Sequence, residues 1–188
     1  MNLFYLARDT ELCAQLHYDK HVVKMIVETA QLLSTAHRVL DGEMYRELSP
    51  KGRRLKRWKH SRPHFEDLLY KATHMNHPSA VWCRSSVSAY MWTARLLKQL
   101  CKEYTHRYKK VHKVERTQLM QLLHCIPAGV PSFVDFVAPP QCMPDSYADA
   151  DCIVAYRNYY VGDKLRMARY TNRTMPLWVA AALEEEDE

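Results

Sequence analysis

The chain has 188 residues, nearly half of them apolar, which suffices for one ordinary domain whose core needs no covalent staples. No stretch reaches the eighteen or more apolar residues of a membrane span, and the start Met1-Asn2-Leu3-Phe4-Tyr5 is unlike a secretory signal, so no membrane partner is expected. Formal net charge is +6, and discounting the five acidic residues Glu184 to Glu188 brings the rest to +11, a balance suited to phosphate-bearing partners.

Apolar spacing predicts an all-α protein: a single-domain helical bundle over residues 1–180, followed by an acidic tail, 181–188, that frays. After an extended start at residues 2–6, Thr10 is placed to cap a helix through Leu12 and Leu16. Asp19 is placed to cap a second helix, about residues 20–39, with Val22, Val23, Met25, Ile26, Ala30, Leu33 and Ala36 toward the core. Gly42 closes it, and a basic arm follows over about residues 46–62. Pro63 starts a short helix through Phe65 and Leu69. Asn76-His77-Pro78 opens the longest helix, expected to run unbroken to Tyr108 as the central core element. A shorter helix near residues 116–124 precedes a proline-rich wrap, about residues 126–146, and a final helix spans about residues 149–170.

Three places carry candidate chemistry. On the second helix Lys20 or His21, Lys24, Glu28 and Gln31 recur at three- and four-residue steps, so they share one face. A solvated Lys24–Glu28 pair is the plain explanation, but a polar line containing an imidazole and a carboxylate in an otherwise apolar helix also fits a site. The arm packs Lys51, Arg53, Arg54, Lys56, Arg57, Lys59 and Arg62 around Trp58 with no acid between them, which phosphates would neutralise. In Tyr156-Arg157-Asn158-Tyr159-Tyr160-Val161-Gly162-Asp163-Lys164, a core role fits Tyr156 and Tyr160, four apart. Tyr159 and Arg157 then face elsewhere, suited to stacking and phosphate contact. His17/His21 and His60/His64 stand at i,i+4, a spacing that permits metal ligation, although no third ligand is fixed by spacing. The six cysteines are scattered without a Cys-x-x-Cys pair, as in reduced cytoplasmic proteins.

In this order along the chain, these places resemble the phage-type pyrimidine-dimer DNA glycosylase and abasic-site lyase family, the endonuclease V type. Asp19-Lys20-His21 precedes Glu28 by the step that separates the family's Asp-x-His from its catalytic glutamate. Asn76-His77-Pro78 is similar to its histidine-containing helix start, and Tyr156 to Lys164 resembles its aromatic, lysine-containing stretch near the carboxyl end. The resemblance implies that Glu28 is the essential carboxylate, with His21 orienting it or the substrate. It implies an amine nucleophile at Met1, because Asn2 is too bulky for efficient methionine removal, with Lys24 or Lys20 as substitutes. Duplex DNA with an extruded base is the implied partner, in a host-cell cytoplasm, and no cofactor or metal is expected. Lys20, Arg53, Arg54, Arg57, Trp58, Lys59, His77, Arg157, Tyr159, Tyr160 and Lys164 are the implied DNA-facing residues. Three other readings stay open: an enzyme that modifies or exchanges a base without releasing it, a non-catalytic DNA-binding module, and a metal-dependent hydrolase using His17 and His21.

Overall fold

Two long helices carry the fold, and the spacing of their apolar side chains explains how they pack. The computed structural model describes residues 2–132 and 135–187, with side chains as far as residue 185. Helix α1 (Thr10–Gln15) is capped by Asp9 rather than Thr10, the Asp9 Oδ1 accepting from the Leu12 amide at 2.8 Å. Helix α2 (Asp19–Asp41) buries Val22, Met25, Ile26, Ala30, Leu33 and Ala36, whereas Val23, expected inside, is 39% exposed. Asp19 belongs to the first turn and Tyr18 takes the cap position, because the Asp19 carboxylate is committed elsewhere, to Arg107 and Thr171.

The all-α expectation is corrected by a two-stranded antiparallel sheet. Strand β1 (Gly42–Leu48) pairs with β2 (Arg54–His60), in register from Gly42 opposite His60 to Leu48 opposite Arg54. The basic arm is therefore a hairpin, and the chain is 55% helical rather than helical throughout. The physical reason lies in its tip. Ser49-Pro50-Lys51-Gly52 turns with Gly52 at φ 72°, and the amides of Ser49 and Gly52 bond across the loop to the Arg53 and Ser49 carbonyls at 2.8 Å. Proline early in the turn and glycine in the left-handed region define a three-residue hairpin loop. At the root, a Cβ on Gly42 would lie 2.4 Å from the Arg38 carbonyl oxygen, so the chain leaves the helix through the one residue type that fits. Arg38 then ties the hairpin to the segment from Glu66 to Tyr70, donating to the carbonyls of Trp58, Glu66, Leu69 and Tyr70 and to the Glu66 carboxylate at 2.6–3.0 Å.

Helix α3 (Pro63–Leu68) leads out of the hairpin. The long helix expected from Pro78 breaks into α4 (Pro78–Cys83) and α5 (Val87–Tyr108), because the Ser86 hydroxyl caps a new start by accepting from the Ala89 amide at 3.1 Å. Helix α5 packs chiefly on α2 and α1, with Tyr90, Leu96, Leu97 and Leu100 buried. The expected helix near residues 116–124 is two single turns, α6 (Lys113–Arg116) and α7 (Leu119–Leu122), interrupted at Gln118 with φ 63°. After the proline-rich stretch, α8 (Cys152–Lys164) is shorter than expected at both ends and is capped by Asp151. Residues 181–187 of the tail expected to fray are helical, as part of α9 (Leu177–Asp187). Among the described residues no helix is long and apolar enough to cross a membrane.

Candidate functional site

The amino-terminal half of α2 forms one wall of an open cleft of about 440 Å³. Lys20, His21, Lys24 and Glu28 line it from the helix, Asn2 and Phe4 from the extended start, and Tyr159, Lys164 and Met167 from α8 and the turn after it. Their three- and four-residue spacing puts the α2 side chains in one row.

Glu28 is held from two sides. The Asn2 main-chain N–H donates to Oε2 at 3.1 Å, and the Lys24 ammonium lies 3.4 Å from Oε1. The Glu28 side chain is only 17% exposed against 60% for Lys24, so the acid sits in the wall and the amine at its lip. Asn2 is itself clamped, its Nδ2 donating to the Cys142 carbonyl at 2.7 Å and its Oδ1 standing 2.8 Å from the Tyr156 hydroxyl. Met1, expected to supply the nucleophilic amine, lies outside the described residues.

His21 is buried, and its Nδ1 lies 2.6 Å from the Tyr160 hydroxyl. A buried phenol needs an acceptor, and among the described contacts this nitrogen is the one offered, so Nε2 carries the ring proton. Burial pushes the imidazole down to about 4, and the charges of Lys24 and Lys164 push the same way, so the ring is neutral near pH 7. The free histidine value is 6.5, so the unfolded chain takes up the proton first. Stability contributed by neutral His21 is complete above about pH 6.5 and is lost as pH falls toward 4. Urea unfolding from pH 7 to pH 4 is expected to lose about 3 kcal/mol through this group. A His21→Gln variant is expected to show a flatter profile; an unchanged slope would assign the loss to other groups.

Aromatic rings line the cleft. Phe4 stacks on His21 at 4.8 Å between centroids and on Tyr159 at 5.9 Å. It does so with φ 43°, a conformation that costs a residue with a side chain on the order of 1–3 kcal/mol and that the surrounding stack must offset. Lys164 Nζ lies 4.7 Å from the centre of the Tyr159 ring and also pairs with Asp163.

The other expected residues fall in different places. Tyr160, expected to face DNA, is fully buried and acts from behind by holding His21. Arg157 is turned to the Leu6 carbonyl, 3.2 Å away, and lies over the Trp178 ring, so it does not line the cleft. His77 caps α4, its Nδ1 accepting from the Ser79 amide at 3.2 Å; burial lowers its pKa, while the Glu28 carboxylate opposes the shift. The hairpin projects from the far end of α2. There Arg57 pairs with Glu47, and among the described residues Arg53, Arg54 and Lys59 have no carboxylate within ion-pair distance. Trp58 is half-buried, its carbonyl bonded to Arg38. Asn2, Phe4 and Met167 were not anticipated from sequence. The signal for the first two was the extended start, whose period of two puts them on one face.

No protein-family model matches the chain, and searches of curated proteins and of solved structures returned no match.

Proposed function

We propose that the chain is a DNA N-glycosylase that removes a damaged or modified pyrimidine-type base, with an abasic-site lyase step. The observation that carries this reading is the row of Glu28, neutral His21 and Lys24 on one cleft wall, beside the Phe4 and Tyr159 rings and the cations Lys20 and Lys164. A base extruded from the duplex would stack on Tyr159, with Lys20 and Lys164 toward its phosphates. The Lys24 ammonium, 60% exposed, gives its proton to water, and the Glu28 carboxylate, 3.4 Å away, faces the cationic sugar that forms as the bond to the base breaks. The freed amine forms a bond to C1′, and the base departs with the electron pair and takes up a proton. His21, which lines the cleft, would donate from Nε2–H to an oxygen of the leaving base. Glu28 takes the proton that the new C1′–N bond leaves on nitrogen and passes it to the ring oxygen as the C1′–O4′ bond breaks, leaving a Schiff base from which β-elimination cuts the strand. The hairpin cations supply sequence-independent affinity. The reaction belongs in the cytoplasm.

The test is a set of duplexes carrying ultraviolet dimers, modified pyrimidines or abasic sites, read for free base by mass spectrometry and for strand breaks. Free base from at least one duplex and a borohydride-trapped protein–DNA adduct are expected. A base altered but never released indicates base exchange. Steeply salt-dependent binding with no product from any duplex indicates a binding module and ends the enzyme reading.

A further inference from the structure

Three metal-ligand side chains meet at the opposite end of α2, and the chemistry above uses none of them. His37 and Asp41 stand four residues apart on the last turns of the helix and so share a face. His60 closes β2 directly opposite Gly42, the first residue after the helix. Donor atoms of all three lie within 4.8 Å of one another. The i,i+4 pairs visible in sequence behave differently: His17 Nδ1 is taken by the Cys13 carbonyl at 2.6 Å, and His64 is exposed.

Hydrogen bonding leaves this trio unfinished. His37 Nε2 lies 3.1 Å from the Cys125 carbonyl and 2.9 Å from the Tyr90 hydroxyl, which itself donates to the Leu123 carbonyl at 2.9 Å; with both neighbours able to accept, Nε2 carries the ring proton and Nδ1 is left with a lone pair. That Nδ1 is buried and has no partner, and His60 Nε2 is likewise buried and unpartnered. The two residues are 1% and 4% exposed. The Asp41 oxygens accept from the Ala128 and Gly129 amides, both at 2.9 Å, and each oxygen retains acceptor capacity. A buried polar atom without a partner costs about 1–3 kcal/mol, and two of them beside one carboxylate call for a common ligand.

We propose that His37, Asp41 and His60 bind a divalent transition-metal ion, of which zinc is the type, and that the ion staples the root of the hairpin to α2. Two imidazole nitrogens with one carboxylate oxygen are a donor set that zinc accepts, with water completing the shell. Bonds of about 2.0–2.1 Å put ligand atoms about 3.4 Å apart, so the donors must close by up to about 1.4 Å, a movement of side-chain torsions. The Cys125 carbonyl supplies the outer contact that fixes the His37 ring. Loading requires one exchange at His60. Its Nδ1 accepts from the Arg62 amide at 3.1 Å, which keeps the ring proton on Nε2. When the metal takes Nε2, that proton moves to Nδ1 and the amide of exposed Arg62 turns to solvent. The position at the root of the hairpin, about 14–20 Å along the helix from Glu28, makes the ion structural rather than catalytic.

The test uses the full chain, stripped with chelator and shown to be folded by circular dichroism, then titrated with zinc against a chromophoric chelator and with cobalt(II) by visible spectroscopy. The expected result is one tightly bound ion per chain, a four- or five-coordinate cobalt spectrum and a higher melting temperature. His37→Gln and His60→Gln are each expected to weaken binding at least tenfold, while His64→Gln leaves it unchanged. The cobalt spectrum of the unaltered chain needs no variant to fold. A folded wild-type chain with no such band at stoichiometric cobalt overturns the proposal and leaves a bridging water as the partner of the two nitrogens. Zinc affinity equal in wild type and in the double His37→Gln, His60→Gln variant overturns it too.

Discussion

Replacing Glu28 by glutamine is expected to reduce base release by roughly 10²–10⁴-fold, the span that a positioned general acid–base group contributes. The fold should survive the change, because the glutamine carbonyl can still accept from the Asn2 amide. The Lys24 contact that is lost involves a largely exposed ammonium, worth about 1 kcal/mol or less. Affinity for duplex DNA should also be retained, since removing one carboxylate from a cationic cleft repels phosphate less. The informative measurement is therefore single-turnover base release beside a binding isotherm at fixed salt. Lost release with unchanged binding supports the assignment; full release by the variant removes Glu28 from the chemistry.

Arg107→Ala is expected to destabilise the fold by about 3–5 kcal/mol, read as a fall in the urea midpoint without a change in slope. The Arg107 side chain is fully buried, donating from Nη1 to Asp19 at 2.8 Å, from Nε to Glu103 at 2.6 Å and from Nη2 to the Gln15 carbonyl at 2.9 Å. Burial alone would raise the Asp19 carboxyl, but the Thr171 and Arg107 donors hold it below the usual range, so the acid is ionised. Deleting the guanidinium leaves Asp19 charged with only Thr171 as donor, and Glu103 with only Arg173. Arg173→Met should cost far less, since that side chain is 30% exposed and its loss leaves Arg107 in place. Because Asp19 begins α2, immediately before Lys20 and His21, activity is expected to fall along with stability. A loss of under 1 kcal/mol would show that the network contributes little.

How much of this could be read in advance depended on the range of the interactions. The α2 row was legible because its spacing is a property of one helix, and four residues on one face need no knowledge of the rest of the fold. The hairpin was not. Seven cations hid the alternation of half-buried Leu55 and Arg57 with exposed Arg54 and Lys56, and the charge around the Ser49-Pro50-Lys51-Gly52 turn masked its signal. The break between α4 and α5 hung on a single serine cap in a stretch whose apolar pattern runs through it. Clefts assembled from distant segments stay hidden for the same reason: Asn2 meets Glu28, Cys142 and Tyr156 only when the chain has folded. His37, Asp41 and His60 could not be grouped while β2 was taken for coil.

Helix α2 also acts as a rigid ruler. The acid-bearing cleft lies near its start and the hairpin at its end, with Glu28 and Gly42 about 21 Å apart along the axis at 1.5 Å per residue. On the DNA reading that offset equals about six base-pair steps of 3.4 Å, a little over half a turn of the duplex. Two modest grips at a fixed spacing reinforce each other only on an oligonucleotide long enough to reach both, so length discrimination would be set by one stiff rod and not by either grip alone.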